Sequence, residues 1–166
     1  MNLVSVEEIP LGQDVDISDT DHIIDMYGKM VQFSRTNGYP LGLSAVQVGI
    51  PEKFFIARCD MYPYGDSDID YGYIGYINCQ YFPPTPPAEV VSIEGCLSLP
   101  GKIFKLNRFP RINLRGYMMG VNVDTFEVEV LKINQLVTNS RLAQVLQHEI
   151  DHGNNILISD LGDEIE

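Results

Sequence analysis

Apolar positions recur along this chain with two different periods, and the changes of period outline its elements. Ile23, Tyr27, Met30, Val31 and Ser34 fall on one stripe at helical spacing. Ser18 and Asp19 before them are N-cap types, and Asn37-Gly38 supplies a stop. Gly28 is a weak helix former inside that stretch. Residues up to about 17 read as an extended, irregular lead-in, and His22 as a surface residue without a role.

Strand character then takes over in residues 53–59, 76–82, 102–106, 111–119 and 126–133. In the last of these, Phe126, Val128 and Val130 alternate with Glu127 and Glu129. Residues 60–75, rich in Asp, Gly and Tyr, read as a surface excursion. The prolines of 83–87 make a rigid connection, and 120–124 a turn. A second helix spans about 140–152, capped by Thr138 or Asn139 and stopped by Gly153. The tail, 160–166, is short and acidic. With no internal repeat and no linker, residues 1–166 read as one α+β domain.

Composition narrows the choices. An apolar fraction of 45% and a charged fraction of 20% are ordinary for a globular chain of 166 residues. The net charge of −12 argues against nucleic-acid binding and against docking on anionic membranes. The start has no basic segment leading into an apolar run, and no stretch is long enough to span a bilayer, so the expected location is the cytoplasm. Three cysteines, an odd number, favour free thiols or a metal ligand over a disulfide framework.

Chemistry concentrates in Gln147-His148-Glu149-Ile150-Asp151-His152. On a helix, His148 and His152 lie four apart on one face and can share one metal ion. Glu149 projects beside that ion, where it can move protons to and from water. A catalytic site of this kind needs a third protein ligand. Fourteen residues follow His152, none of them histidine, and the position six beyond is Ile158. Glu164 and Glu166 sit on the short tail, which leaves little to hold them. Upstream, Glu94-Gly95-Cys96-Leu97-Ser98-Leu99-Pro100 sets Cys96 in a turn or bulge, and thiolate suits zinc or ferrous iron. Cys59 and Cys79 lie in apolar runs and read as buried small hydrophobes.

Glu94-Gly95-Cys96-Leu97-Ser98 and Gln147 to His152 resemble two signature motifs of the peptide deformylases. Pro40-Leu41-Gly42-Leu43-Ser44-Ala45-Val46-Gln47, followed by Val48-Gly49, resembles a third. The resemblance spans roughly residues 20–160. It departs from the family pattern at Pro40, Ser44, Cys79 and Asn155, in the N-terminal residues, and in lacking a basic or helical C-terminal extension. None of these departures removes a metal ligand or the proposed base.

The resemblance implies small antiparallel or mixed sheets packed around a central C-terminal helix, with a second helix near the N-terminus. It implies hydrolysis of the formyl group of N-formylmethionyl peptides and nascent chains. Cys96, His148 and His152 would hold one divalent ion, Fe(2+), with Zn(2+), Ni(2+) or Co(2+) able to substitute. Glu149 would be the proton carrier, and the Gln47 amide and Leu97 N–H the oxyanion donors. Leu41, Gly42 and Leu43 would line the peptide groove, and Arg108 would pair with Asp151 to anchor the helix. Val145 and Leu142, on the Glu149 side of the helical wheel, are either walls of a methionine pocket or plain core. The expected state is a monomer with weak or no ribosome docking through its acidic C-terminus. Two other readings stay open: an inactive homologue that binds peptides, and an H-E-x-x-H metallopeptidase.

Overall fold

The computed structural model describes residues 1–58, 72–121, 125 and 127–165, with only the backbone of Val121 described. In chain order these residues form α1 (Thr20–Thr36), β1 (Gly42–Ser44), a 3-10 turn (Ala45–Val48), β2 (Phe54–Arg58) and β3 (Tyr73–Phe82). Then come β4 (Val90–Cys96), β5 (Leu99–Arg108), β6 (Ile112–Val121), β7 (Val128–Val137), α2 (Ser140–Gly153), α3 (Ile158–Leu161) and β8 (Asp163–Ile165). They build an α+β fold with two antiparallel sheets, of order β1-β2-β3-β6-β7 and β4-β5-β8. No parallel sheet forms among the described residues; Gln13 and Glu52 make only an isolated parallel bridge.

Helix α1 starts where the cap residues place it, with the Asp19 side chain accepting from the His22 backbone N–H at 3.1 Å. Its buried face is Ile23, Met26, Met30, Phe33 and Ser34. Tyr27 and Val31 of the expected stripe are only half-buried, on the flank. The face is turned toward Met26 and Phe33 because the helix packs over Phe54, Ile56, Tyr73 and Ile77 of β2 and β3. His22, expected to be idle, faces Glu52 at 2.9 Å. That ion pair is exposed and contributes under about 1 kcal/mol.

Both sides of α2 are buried for different reasons. Leu142, Ala143, Leu146 and Ile150 join Phe55, Ala57, Tyr76, Ile112 and Leu114 in the larger core. The opposite side carries polar groups toward the three-stranded sheet. Asn139 caps the helix, its side chain accepting from the Leu142 N–H at 3.1 Å. Gly153 is not the stop: it is the last helical residue, and the chain turns at Asn155 with φ 57°. Asn tolerates the left-handed region better than most L-residues, so its presence in place of a family glycine fits the turn.

Three further elements differ from expectation. β3 begins at Tyr73, so the surface excursion ends sooner; residues 60–71, Cys59 and the end of the expected strand 53–59 lie outside the described residues. The same holds for Phe126 and for 122–124 of the expected turn. β4 was not foreseen at all. Its pattern is inverted, with Ser92 and Glu94 buried while Val91 and Ile93 are exposed. The acidic tail, expected to have little structure, forms α3 and β8, and β8 pairs with β5 through Ile103↔Ile165 to Lys105↔Asp163. Among the described residues no helix is long and apolar enough to cross a membrane.

Candidate metal centre

Three ligand atoms converge where α2 meets the end of β4. His152 Nε2 lies 3.1 Å from His148 Nε2 and 3.2 Å from Cys96 Sγ. The three donor atoms all lie within 4.8 Å of one another. A tetrahedral ion with metal–nitrogen distances of about 2.0–2.1 Å and a metal–sulfur distance of about 2.3 Å needs N···N near ~3.3 Å and S···N near ~3.6 Å. The observed edges are close to those lengths, and a thiolate with two imidazoles is a good donor set for zinc or ferrous iron. The residues therefore fit a single divalent ion.

Local structure explains the convergence. Helical spacing places His148 and His152 one turn apart on the same face. On β4, Ser92, Glu94 and Cys96 share one face by strand alternation. A register shift between Gly95 and Cys96, which pairs with Leu99, interrupts the ladder beside the thiol that faces the helix.

The imidazoles are oriented from behind. Glu94 Oε2 sits 2.8 Å from His148 Nδ1, which fixes that nitrogen as the donor and leaves Nε2 facing the site. Burial opposes ionisation of Glu94, but hydrogen bonds from His148 and Arg108 outweigh it and bring its carboxyl down to about 2. Arg108 reaches Glu94 twice, Nε to Oε1 at 2.9 Å and Nη2 to Oε2 at 3.1 Å. Its third nitrogen donates to Asp151 Oδ2. Ser92 Oγ donates to Glu94 Oε1 at 2.9 Å, and Tyr81 Oη to Asp151 Oδ1 at 3.0 Å. The expected Arg108–Asp151 pair is thus part of a larger buried network. Sequence reading missed the contributions of Glu94, Ser92 and Tyr81. Glu94 had a signal, since it lies two residues before the thiol and so on its face of a strand. Tyr81 had none, because its partner is 70 residues away.

The two imidazoles are pushed in opposite directions. Burial disfavours charge on His148, but hydrogen bonds to Cys96 and Glu94 prevail and raise it to about 10. Burial and the His148 charge drive His152 well below its ordinary value. A divalent cation would displace the His148 proton on binding.

Glu149 is buried beside the pair, and its Oε2 has no hydrogen-bond partner among the described residues. Burial lifts its carboxyl to about 7, against the pull of His148. A carboxyl poised near neutrality both accepts and returns a proton efficiently. It owes its position partly to Gly42: a Cβ there would stand 2.5 Å from Glu149 Oε1 and 2.8 Å from its Cδ. Gly42→Ala is expected to displace the carboxylate and lower kcat by about a hundredfold with metal content unchanged. Steady-state kinetics alongside metal analysis check this, and wild-type kcat in the variant would refute it.

Gln47 is 2% exposed and held at both ends of its carboxamide. Oε1 accepts from the Ser44 N–H at 2.9 Å, while Nε2 donates to Ser98 Oγ at 3.0 Å and lies 3.4 Å from Cys96 Sγ. The N-terminal segment supports that turn, with Val4 N–H donating to the Gln47 carbonyl at 3.0 Å. A cleft of about 470 Å³ opens in front of these groups, lined by Leu41, Gly42, Gln47, Leu97, Val145 and Glu149 among others. Leu43 and Leu142 do not line it: both are core, Leu43 fully buried with Phe54 and Ile56, and Leu142 packed in the larger cluster. Gln144 of α2 lines the cleft and was not foreseen.

Fold and site define a class: an α+β chain whose buried helix carries a His-Glu-x-x-His pair completed by a thiolate from a neighbouring strand. The family model for polypeptide deformylase matches residues 11–166, and the chain belongs to that family. A peptide deformylase of Thermotoga petrophila is 34% identical over 120 residues, covering 72% of this chain and 60% of that protein. The matches to the Thermotoga relatives thus take in about 60% of those proteins' length. Among solved structures, a probable peptide deformylase from Synechococcus phage S-SSM7 superposes with TM-score 0.73 at 20% identity, covering 97% of this chain and 99% of that one. The Thermotoga maritima peptide deformylase gives TM-score 0.69 at 24% identity, over 98% and 97%. At these identities the structural likeness shows the fold.

Proposed function

We propose that residues 1–166 are one catalytic domain that removes the formyl group from N-formylmethionyl peptides and nascent chains, releasing formate and a free amino terminus. The observation that carries this is the meeting of Cys96, His148 and His152 beside the buried Glu149 carboxylate, whose Oε2 has no partner among the described residues, at the wall of an open cleft. Cys96, His148 and His152 hold one divalent ion, ferrous iron in the cell, with zinc, nickel or cobalt as substitutes. When bound, the ion polarises the formyl oxygen and acidifies water.

The protein's own groups do the rest. Glu149 takes a proton from the attacking water as its oxygen bonds to the formyl carbon. The Gln47 amide and the Leu97 N–H stabilise the oxyanion that develops. The C–N bond then breaks, and Glu149 delivers its proton to the leaving amine.

Two unpaired strand edges border the cleft among the described residues. β1 pairs only with β2, and β4 only with β5. The Leu41 carbonyl accepts from Arg58 on the β2 side, so alternation turns the backbone groups of Gly42 toward the cleft. An extended peptide laid between Gly42 and the β4 edge would pair with both. Leu41 and Val145 supply apolar walls for a first side chain. Asp163 and Glu164 lie on the strand that pairs with β5, and their negative charge opposes docking on ribosomal RNA through that segment.

Product analysis of N-formyl-Met-Ala-Ser tests the reading. Formate and free Met-Ala-Ser are expected in equal amounts. Cleavage at Met-Ala would favour a peptidase, and binding without turnover a peptide-binding homologue.

A further inference from the structure

The cleft wall beside the metal centre is not uniformly apolar. Gln144 lies on α2 one turn before His148, on the same face, and lines the cleft next to Val145, Ile93 and Leu97. It is half-buried, and its carboxamide has no hydrogen-bond partner among the described residues. This sets it apart from the two other carboxamides near the site. Gln47 is tied to Ser44 and Ser98, and Gln147 to both backbone groups of Phe109. Gln144 also borders a second groove, of about 400 Å³, that continues past Ile93 toward Ser140 and Arg141. The far end of the wall therefore opens into a groove of mixed polar and apolar lining rather than a closed apolar socket.

Resting on the deformylase reading, we infer that Gln144 is a specificity-determining residue that donates its amide to a hydrogen-bond acceptor on the first side chain of the formylated substrate. A purely aliphatic side chain packed on this wall strips water from the carboxamide and gives nothing back. A side chain with an acceptor three or four bonds from Cα satisfies it. The thioether of methionine is a weak acceptor and the sulfoxide a strong one. The substrate class so defined is N-formyl peptides whose first side chain is long, flexible and carries an acceptor near its end, oxidised methionine included. Binding sites that present a polar partner discriminate against analogues lacking it.

The test compares kcat/KM for formate release from N-formyl-Met-Ala-Ser and its methionine sulfoxide and norleucine analogues, using metal-loaded wild type, Gln144→Leu and Gln144→Glu. Melting temperatures and metal contents are measured for all three proteins. Wild type is expected to hydrolyse the sulfoxide peptide. Both variants should lower the sulfoxide-to-norleucine ratio about five- to tenfold. An unchanged ratio, an equal fall on all three peptides, or rejection of the sulfoxide by wild type would each overturn the inference while leaving the deformylase reading in place. Release of formate from none of the peptides by wild type would overturn both.

Discussion

Replacing Glu149 by alanine is expected to abolish turnover while leaving the metal in place. The loss should reach about 10²–10⁴-fold in kcat, the range a positioned proton carrier supplies. Three features single out this residue. It is the neighbour in sequence of His148, one of the three converging donors, yet its own carboxylate is not among them. It is buried with one oxygen unpartnered, and burial holds its carboxyl at about 7. Among the described residues the other carboxylate that borders the cleft, Glu94, is committed to His148, Arg108 and Ser92. Metal analysis with single-turnover kinetics separates the outcomes. Near-wild-type kcat in Glu149→Ala removes the assigned role, and loss of metal would make the residue structural. The expected stability change is small or favourable, since truncation relieves a buried carboxyl of its desolvation cost.

The second large effect concerns Arg108, whose side chain is 3% exposed. Arg108→Met would leave Glu94 and Asp151 buried without their shared cation. Breaking a buried ion pair from one side costs about 3–5 kcal/mol. For a chain of this size each kcal/mol shifts Tm by about 2–4 °C, so a fall of roughly 10 °C is expected. Activity should fall with it, because Glu94 orients His148. Asp151→Asn is milder, since an amide oxygen can still accept from Arg108 or Tyr81, but should also lower Tm. An unchanged Tm and an unchanged activity in Asp151→Asn would contradict the anchoring role of the pair. Differential scanning calorimetry of the metal-loaded proteins measures both variants.

The candidate site was more legible in the sequence than the framework that holds it. His148, Glu149 and His152 needed only helical spacing, and Cys96 stood out by its setting between Gly95 and Leu97-Ser98 and because residues 153–166 hold no histidine. β4 escaped notice because it buries Ser92 and Glu94 and exposes Val91 and Ile93, the reverse of ordinary alternation. That reversal is the cost of turning Glu94 and Cys96 toward the helix. The helical wheel put Val145 and Leu142 on one side, but a wheel gives angles and not the direction in which the cleft opens. Leu142 went to the core, and Gln144 took the place at the wall. Asp151 was paired with Arg108 only through the family resemblance, and nothing local pointed to Tyr81, which shares it.

The central claim is that one divalent ion held by Cys96, His148 and His152 makes this chain a deformylase. The most direct measurement strips the protein with a chelator, returns iron(II) under anaerobic conditions in fractional equivalents, and follows formate release from N-formyl-Met-Ala-Ser. Formate release should rise with bound metal to a plateau at about one ion per chain. Cys96→Ala, which lacks the thiolate, should lose tight binding and turnover together. Formate release that is independent of metal, or a fully loaded protein that releases none, would contradict the account.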